Sequence, residues 1–370
     1  PSEMKISRLR LVHYRNYTDE TVEFGDGIQL ICGKNAQGKT NLLEAIYYCS
    51  TMRSHRTLQD QHLIQKEEAS FLIDLSLQRG RQKEQLRVCV NEKGKNLFIH
   101  RNPILRVSDF IGEVNAVLFC PDDLQLFTAS PKVRRRFIDI EISKLSRRYT
   151  QTLAMFQRLL RERNALLKQK EPDLVYLQVV TERMCACEMV ILQQRYAFLK
   201  ELFVFCQPFY SHFAQDDTSI GFEYHTVLDL DHLQDEQLLK EKYEKGLVRD
   251  QMSGQTNLGV HKDDVIFTIE GKNINSYASQ GQKRTLLLSM KLAITAMIKE
   301  KLGEYPILLL DDVFSELDAH RCRQLMEVLP QDMQIFISSA QPIEQEMLAG
   351  KVADVFEVTD GTIQRRVLDE

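Results

Sequence analysis

Long apolar runs are absent from this sequence. No stretch approaches the roughly 20 apolar residues that a membrane-spanning helix needs, and the residues after Met4 lack the apolar core of a secretory signal peptide. The chain is therefore predicted to be cytoplasmic and to have no membrane partner. Residues 1–3, which precede Met4, are interpreted as a non-native remnant and are set aside.

Clusters of cysteine and histidine are also lacking. The eight cysteines are spread along the chain, and only Cys185 and Cys187 lie close together, with no histidine near them. Buried free thiols are the favoured interpretation, and a zinc or redox site is the alternative.

Internal repeats and low-complexity tracts are absent as well, and 370 residues are enough for two or three units with a large core.

Apolar periodicity predicts an α/β protein with a helical segment in its middle. Strands are predicted at 6–13, 21–24 and 28–32 and around 73–77, 86–90 and 97–99, with a turn at 91–94 and one helix at 40–49. Helical spacing predicts a hairpin with arms at 132–170 and 173–207, the second arm ending or kinking at Pro208. Uniformly apolar strands at 307–310 and 335–337 favour a parallel sheet that is covered on both faces.

Residues 33–40, GKNAQGKT, fit the phosphate-binding loop pattern G-x-x-x-x-G-K-[ST] and lie between an apolar strand and a helix. Gly33 and Gly38 allow the loop to turn its backbone N–H groups toward phosphate oxygens. Lys39 is predicted to reach the β- and γ-phosphates of ATP, and the Thr40 hydroxyl is predicted to ligate magnesium. A glycine-rich structural turn is the alternative. The predicted ATP-binding loop comprises Gly33, Lys34, Asn35, Ala36, Gln37, Gly38, Lys39 and Thr40.

The segment ILLLDDVFSELD, 307–318, ends an apolar strand on two carboxylates. Asp311 is predicted to be a direct or indirect magnesium ligand, at the end of the strand beside the P-loop strand. Asp312 is predicted to be catalytic, because it would orient or deprotonate the attacking water. A solvated strand end is the alternative.

A polar turn, Ser279-Gln280-Gly281-Gln282, opens a helix and is followed by Lys283. Ser279 can cap this helix and Gly281 permits close backbone approach, so the helix N-terminus can bind an anion. Within one chain, the phosphates of the single nucleotide are already assigned to the P-loop, so no second phosphate is left for this site. An ordinary capped helix is the alternative.

The order of these motifs, with Ser315-Glu316-Leu317-Asp318 after them, resembles the order of P-loop, signature, Walker B and D-loop in ABC-type ATPases. In that family, the signature of one protomer closes on the γ-phosphate that is held by the P-loop of the other. The resemblance implies an ATP-dependent homodimer in which the signature residues act in trans. These residues are Ser279, Gln280, Gly281, Gln282 and Lys283.

More specific segments resemble the RecF family of bacterial DNA repair ATPases from Met4 almost to the end of the chain. In chain order they are LRLVHYRNY (9–17), GKNAQGKTNLLEAI (33–46), RSHRT (53–57), PDDLQLFTASPKVRRRFID (121–139), GVHKDD (259–264), SQGQKRTLLLSMKLA (279–293) and LLLDDVFSELD (308–318). The resemblance implies binding to gapped DNA or single-strand/double-strand junctions and weak, DNA-stimulated ATP hydrolysis that serves as a switch. It also implies work with RecR and RecO to load RecA, and it adds Arg15 and Asn16 to the ATP site.

The sequence departs from these families at several points. Asp312 stands where ABC-type ATPases usually have Glu, although RecF proteins share the Asp-Asp pair. The segment ISSAQ, 337–341, has no histidine at the switch position, so Ser338 or Ser339 is expected to contact the γ-phosphate region. Val260 replaces a usual proline, and no Q-loop glutamine is identified after the strand at 114–119.

Charge is distributed unevenly, although the net charge is only −4. Residues 132–170 contain twelve Lys and Arg against three acids, and residues 215–245 contain nine acids against three Lys. The basic segment is predicted to neutralise DNA phosphates without base specificity, and a solvated helix face is the alternative. Aromatic residues are not interleaved with it, so no single-strand stacking platform is predicted. The candidate DNA contacts are Arg134, Arg135, Arg136, Arg158 and Arg161, with Arg163 on the same segment.

Other functions weighed are the soluble ATPase of a membrane transporter, an overcoming-lysogenization nuclease and an SMC-like chromosome structural protein. In a transporter ATPase the P-loop and the Walker B motif would lie closer together in the sequence. Here residues 41–310 separate Thr40 of the P-loop from Asp311 of the Walker B motif. The nuclease would need a further domain after Asp318, and the structural protein would need much longer coiled-coil arms.

The predicted fold is an α/β ABC-type P-loop ATPase head, with a mixed sheet and an antiparallel β subdomain, formed by 4–130 and 258–370. An α-helical lobe at 131–257 is predicted to be inserted in it.

Overall fold

The computed structural model describes residues 3–366. They form two compact units, one made of the described residues up to Asp123 and from Leu287 onward, the other of Leu124–Leu286. Residues 1 and 2, which were predicted to belong to a remnant, and residues 367–370 of the predicted head lie outside the described residues. Glu3, which was set aside with the remnant, accepts a hydrogen bond from the backbone N–H of Tyr305 at 2.8 Å.

The β-strands of both units are numbered in chain order. They are β1 Met4–Tyr14, β2 Tyr17–Glu23, β3 Ile28–Cys32, β4 Ser70–Arg79, β5 Gln82–Asn91, β6 Gly94–Ile99, β7 Asn102–Ile104, β8 Ala116–Phe119, β9 Ile220–His225, β10 Asp264–Ile269, β11 Lys272–Asn273, β12 Ile307–Asp311, β13 Ile335–Ser339, β14 Ala353–Thr359 and β15 Thr362–Arg366.

The α-helices are numbered in the same way. They are α1 Lys39–Thr51, α2 Val107–Phe110, α3 Gln125–Thr128, α4 Pro131–Leu145, α5 Arg147–Leu167, α6 Leu174–Ala214, α7 Glu236–Ser253, α8 Ile274–Tyr277, α9 Gln280–Leu302 and α10 Ala319–Val328. Within residues 3–366, none of these helices combines the length and apolarity that crossing a bilayer requires.

The first unit contains two six-stranded sheets. One is antiparallel, in the order β2-β1-β4-β5-β6-β7, and the other has the order β15-β14-β3-β13-β12-β8. In the second sheet, only β15 runs antiparallel to its neighbour. Helix α1 packs on β13, β12 and β8, and its apolar residues share one hydrophobic core with both sheets. The predicted combination of a mixed sheet with an antiparallel one is confirmed.

The strand order corrects one prediction about the site. Strand β12, which carries Asp311, does not lie beside the P-loop strand β3, because β13 pairs in parallel with both and separates them. Long-range strand order of this kind has no signature in the local sequence. The carboxyl ends of the three strands still lie at the same edge of the sheet, where β13 ends at Ser339 and β12 ends at Asp311.

The second unit contains a long helical hairpin, α5 and α6, and a three-stranded antiparallel sheet in the order β11-β10-β9. Buried ion pairs hold these elements together. Arg195 of α6 binds Asp139 of α4 at 3.0 Å and Asp263 at 2.9 Å, and Arg163 of α5 binds Asp250 of α7 at 2.8 Å. In these pairs each charge therefore has a partner of opposite sign, which offsets the cost of removing it from water.

The boundaries of this unit differ from the predicted lobe at 131–257. Residues 258–286 belong with the helices because β10 pairs with β9 along its whole length. In addition, Phe267 of β10 packs against Phe127 of α3 and Phe203 of α6, with ring centroids 5.7 and 6.1 Å apart. The unit therefore begins before α3 and ends within α9.

The hairpin also differs from prediction at two positions. The predicted arm at 132–170 is two helices, because Ser146 has extended backbone angles and its side chain caps α5 by accepting a hydrogen bond from Tyr149 N–H. Helix α6 continues through Pro208 to Ala214, so the second arm does not end at this proline, and the predicted alternative, a kink at Pro208, stays a prediction. Tyr210 and Phe213, beyond the proline, are buried and keep the last turns in the core.

Candidate functional site

The P-loop has the backbone geometry of a phosphate cradle. Gly33 and Gly38 have φ angles of 150° and 121°, and a Cβ at these positions would lie 2.3 Å from Val358 O and 2.8 Å from Tyr17 Oη. Only glycine fits both positions. The two glycines of the predicted loop are therefore required by its backbone conformation, and binding of ATP phosphates by the loop stays a prediction.

Lys39 begins α1 and turns its ammonium group into the loop. It donates hydrogen bonds to the carbonyl oxygens of Gly33 and of Lys34, the latter at 2.8 Å. Burial lowers the pKa of Lys39, while Asp312 and Asp311 act in the opposite direction. The ammonium group is thus held by carbonyl oxygens of the loop, and the two carboxylates of the Walker B segment favour its charged form.

Asp311 is the point where the P-loop helix, β12 and β13 meet. Its Oδ1 accepts hydrogen bonds from Thr40 Oγ1 at 3.1 Å and from Ser338 Oγ at 2.6 Å. Thr40 and Asp311, the predicted magnesium pair, are thus brought together by the fold. A hydroxyl and a carboxylate oxygen at this spacing are ligand types that Mg²⁺ prefers.

Asp312 follows directly and has a left-handed backbone conformation, with φ of 54°. A non-glycine residue rarely adopts this conformation, which costs about 1–3 kcal/mol and is common at functional sites. The backbone N–H of Asp312 donates to Ser338 Oγ at 3.1 Å and to the Ser338 carbonyl oxygen at 3.2 Å. Burial and the charge of Asp311 raise the pKa of Asp312, while Ser315 and Lys39 lower it.

Of the two serines expected near the γ-phosphate, Ser338 connects both carboxylate residues. Its hydroxyl donates to Asp311 and accepts from Asp312. Ser339 instead forms a local turn, in which its Oγ donates to Gln341 O at 2.7 Å. A contact of either serine with nucleotide stays a prediction.

Several residues that support the P-loop were not identified from the sequence. Tyr17 Oη donates to Gly38 O at 2.7 Å, and the β14–β15 turn contributes Gly361, whose N–H donates to Gln37 O at 3.0 Å. Asn16, which was predicted to bind ATP, donates to the same carbonyl at 2.9 Å. The Asp360-Gly361 pair is a typical hairpin turn signal, but nothing local links that turn to the P-loop.

Arg15, which was also predicted to contact ATP, is bonded to the P-loop helix. Its guanidinium forms two hydrogen bonds with the buried carboxylate of Glu44 on α1, at 2.9 and 2.8 Å. Tyr14 Oη and Ser54 Oγ donate to the same carboxylate at 2.8 and 2.7 Å. Burial opposes ionisation of Glu44, but these hydrogen bonds outweigh it and lower its pKa. Arg15 therefore anchors β1 to the P-loop helix, and its contact with ATP stays a prediction.

The signature turn belongs to the second unit and forms a capping box at the start of α9. Ser279 Oγ accepts from Gln282 N–H at 3.1 Å, and Gln282 Oε1 accepts from Ser279 N–H at 2.9 Å. Gln280 and Gly281 are exposed, while Lys283 is buried and donates to Asn275 O at 3.4 Å. The turn is thus a true helix cap that also leaves exposed backbone at a helix N-terminus.

The arginines predicted to bind DNA divide into two groups. Arg134 forms an ion pair with Asp264 at 2.7 Å, Arg135 donates to Asp263 O at 2.8 Å, and Arg163 is paired with Asp250. Each of these three has an acidic or carbonyl partner far along the chain, so the alternative of a solvated helix face does not describe them. Contact of Arg134 and Arg135 with DNA stays a prediction. Arg136 is half-buried, and Arg158 and Arg161 are exposed on α5.

Fold and phosphate loop together define an SMC-like, ABC-type ATPase head. The model for the RecF/RecN/SMC N terminal domain matches residues 5–364. A solved SMC head bound to the C-winged helix domain of ScpA has a TM-score of 0.56 and 14% identity, covering 98% of this chain and 97% of that one. At this identity, the likeness concerns the fold alone. It confirms the predicted fold class.

Closer relatives identify the family. The DNA replication and repair protein RecF of Oceanobacillus iheyensis is 37% identical over 370 residues, which cover 97% of this chain and 100% of the relative. RecF of Latilactobacillus sakei is 38% identical over 371 residues, covering 97% and 98%. A solved structure of the recombination mediator protein RecF with ATP has a TM-score of 0.91 and 27% identity, covering 99% and 98%. The chain belongs to the RecF family.

Proposed function

We propose that this protein is an ATP-driven switch of DNA gap repair, which binds ATP with magnesium, dimerises, binds DNA and hydrolyses ATP slowly. The observation that carries the proposal is the hydrogen bond of 3.1 Å between Thr40 and Asp311, beside a glycine cradle and the Lys39 ammonium. Further support comes from a similar solved protein that is described with ATP and assigned to the RecFOR pathway.

Residues of the first unit would hold the nucleotide. Lys39 and the loop N–H groups would bind the phosphates, and Thr40 and Asp311 would hold Mg²⁺. The metal would neutralise negative charge on the phosphate oxygens. Asp312 would accept the proton of the attacking water, a role that its raised pKa favours.

The signature turn would act on a neighbouring protomer. The exposed N-terminus of α9 offers backbone N–H groups to an anion. The phosphates of the chain's own nucleotide would be bound by its own P-loop, so the anion at α9 would come from a second protomer. Two protomers related by a two-fold axis would each supply one half of two ATP sites. Because ADP lacks the γ-phosphate, dimerisation would require ATP and reverse on hydrolysis.

DNA binding would involve exposed basic residues of α5, including Arg158 and Arg161, through phosphate neutralisation without base specificity. Gapped duplexes and single-strand/double-strand junctions are the proposed substrates, and cooperation with RecO and RecR in loading RecA is the proposed pathway. Stimulation of the slow ATPase by DNA belongs to the same proposal.

A binding experiment tests the function as a whole. Filter binding with a gapped duplex should show retention that increases with ATP and magnesium and not with ADP. An intact duplex and a single strand serve as comparison substrates. Retention that is the same with ATP, with ADP and without nucleotide would contradict the proposed switch.

A further inference from the structure

Arg134 uses its whole guanidinium group inside the second unit. Its Nε and one terminal nitrogen bind the two carboxylate oxygens of Asp264 at 2.7 and 3.2 Å. The other terminal nitrogen donates to Ala129 O at 2.7 Å. The side chain is only 12% exposed. One residue in the first turn of α4 therefore joins the end of α3 to the beginning of β10.

The two elements that Arg134 joins both support α8. Phe127 of α3 packs edge-on against Phe267 of β10, with ring centroids 5.7 Å apart. Helix α8 packs on both α3 and β10, and its Ile274 is 1% exposed. Helix α8 ends at Tyr277, so that only Ala278 separates it from Ser279. The signature turn thus follows, after one residue, a helix that packs on both α3 and β10.

Arg134 lies in PKVRRRF and Asp264 ends GVHKDD, two segments to which the proposed function gives no other role. Arg135 adds a parallel contact, since it donates to the carbonyl oxygen of Asp263 at 2.8 Å. Asp263 itself accepts from Arg195, Tyr224 and Thr226. The end of GVHKDD is therefore fixed on both sides, and Arg134 connects it to α3.

We propose that Arg134 is a positioning residue for the Ser279–Gln282 turn, acting through its bidentate pair with Asp264. This inference rests on the proposed trans-acting role of that turn. A planar guanidinium suits the role because it binds a carboxylate with two parallel hydrogen bonds and fixes direction as well as distance. Loss of either partner should let α8 and the turn move relative to β10.

The test compares Arg134→Ala with Asp264→Ala, and Lys132→Ala serves as the exposed control on the same helix. Hydrogen–deuterium exchange without nucleotide should become several-fold faster at 274–283 in both variants, with no change at 33–51. ATP binding should stay at the parent level, because the P-loop is untouched. ATP-dependent dimerisation should weaken about tenfold or more, since small displacements of a site group have effects of this size or larger.

Asp264→Ala separates positioning from DNA contact. If Arg134 served DNA, removal of its acidic partner would keep or raise DNA affinity and leave exchange at 274–283 unchanged, and that result would overturn the proposal. If Arg134→Ala fails to fold, Arg134→Lys is used in its place, because lysine retains the charge but lacks the two guanidinium nitrogens that bind Asp264. For this variant we expect exchange rates at 274–283 and a dimerisation affinity between those of the parent and those predicted for Arg134→Ala.

Failure of the proposed function gives a different result. If the parent protein does not dimerise with ATP, or if Ser279→Arg dimerises normally, the trans-acting role is wrong. In that case the hydrogen–deuterium exchange data alone decide whether Arg134 positions the turn. If Ser279→Arg and Ser279→Asp, which keeps a good N-cap, both block dimerisation while Arg134→Ala and Asp264→Ala dimerise as the parent does, the positioning role is wrong and the trans-acting role stands.

Discussion

Thr40 Oγ1 donates a hydrogen bond of 3.1 Å to Asp311 Oδ1, although 271 positions separate the two residues in the chain. The contact joins the first turn of α1 to the end of β12. Strand β13 lies between β12 and β3, and its Ser338 binds the same carboxylate oxygen at 2.6 Å. Three distant segments of the chain thus meet at one oxygen atom.

Lys39→Met should lose ATP binding, because it removes the cation that is proposed to bind the nucleotide phosphates. Asp312→Asn should bind ATP with near-parent affinity and form the dimer, while hydrolysis falls, because it removes the proton acceptor and preserves the shape. Equilibrium binding of ATP and a phosphate-release assay measure the two effects. Equal loss of binding in both variants would show that the residues do not have separate roles.

Ser338→Ala should lower ATP hydrolysis about 10- to 100-fold, the usual effect of removing a group that orients a metal ligand. The change leaves Asp311 with one hydroxyl partner instead of two and removes one acceptor from Asp312 N–H. Ser338→Thr, which keeps the hydroxyl, is the matched control and should retain most activity. An alanine variant as active as the parent would mean that Thr40 alone orients Asp311.

The double variant Arg158→Glu/Arg161→Glu should weaken DNA binding alike for unrelated sequences. Removal of phosphate contacts should also reduce the dependence of affinity on salt, by about one unit of slope for each arginine that binds a phosphate in the parent. Lys245→Glu, which reverses an exposed charge on α7, is the matched control. Unchanged affinity in the double variant would identify this part of α5 as a solvated face.

Glu188 should make stability depend on pH. Burial raises its pKa from 4.5 to about 8, although Val260 N–H and Tyr243 Oη donate hydrogen bonds that lower it. Between these two values the unfolded chain releases a proton that the folded chain keeps. The contribution of Glu188 to the free energy of unfolding therefore falls as pH rises through this window and is constant above it.

Urea denaturation of the parent and of Glu188→Gln measures this effect. From about pH 5.5 to about pH 8, the parent should lose stability relative to the variant, whose amide does not titrate in this range. Above about pH 8, the difference between the two proteins should stay constant. Parallel curves over the whole range would show that Glu188 is ionised in the folded protein at all these pH values.

Local patterns were enough to predict the P-loop and the end of β12, because each motif is a short strand followed by a characteristic turn. The alternation of apolar residues also predicted most strands of the antiparallel sheet. The order β3-β13-β12 could not be predicted in this way. Parallel strands are joined by long crossovers, and the residues of one strand do not specify its neighbour.

Charge patterns predicted less than motifs did. The run Arg134-Arg135-Arg136 indicated a basic face, but Asp264 lies 130 positions from Arg134 and binds it. Arg163 is bound by Asp250, which lies 87 positions away. A count of charges along the sequence records the arginines and not their partners. The two aspartates at the end of GVHKDD were the available signal that some of these arginines have internal partners, since buried carboxylates need cationic partners.

The capping box at Ser279 affects how the signature should be tested. Ser279→Arg blocks the turn but also removes the N-cap, so loss of dimerisation has two explanations. Ser279→Asp keeps a good N-cap, because a carboxylate accepts the same hydrogen bond, but it repels phosphate. We expect both variants to bind ATP and fail to dimerise. If Ser279→Asp dimerises as the parent does, the turn is only a helix cap.

Complementation between Ser279→Arg and Lys39→Met tests the trans-acting role most directly. The Ser279→Arg chain supplies an intact P-loop and the Lys39→Met chain supplies an intact signature, so a mixed dimer has one unmutated composite site. ATP-dependent association, followed by light scattering and crosslinking, should be absent from each variant alone and partly recovered in the mixture. Association of Ser279→Arg alone, with ATP and at the level of the parent, would contradict the account.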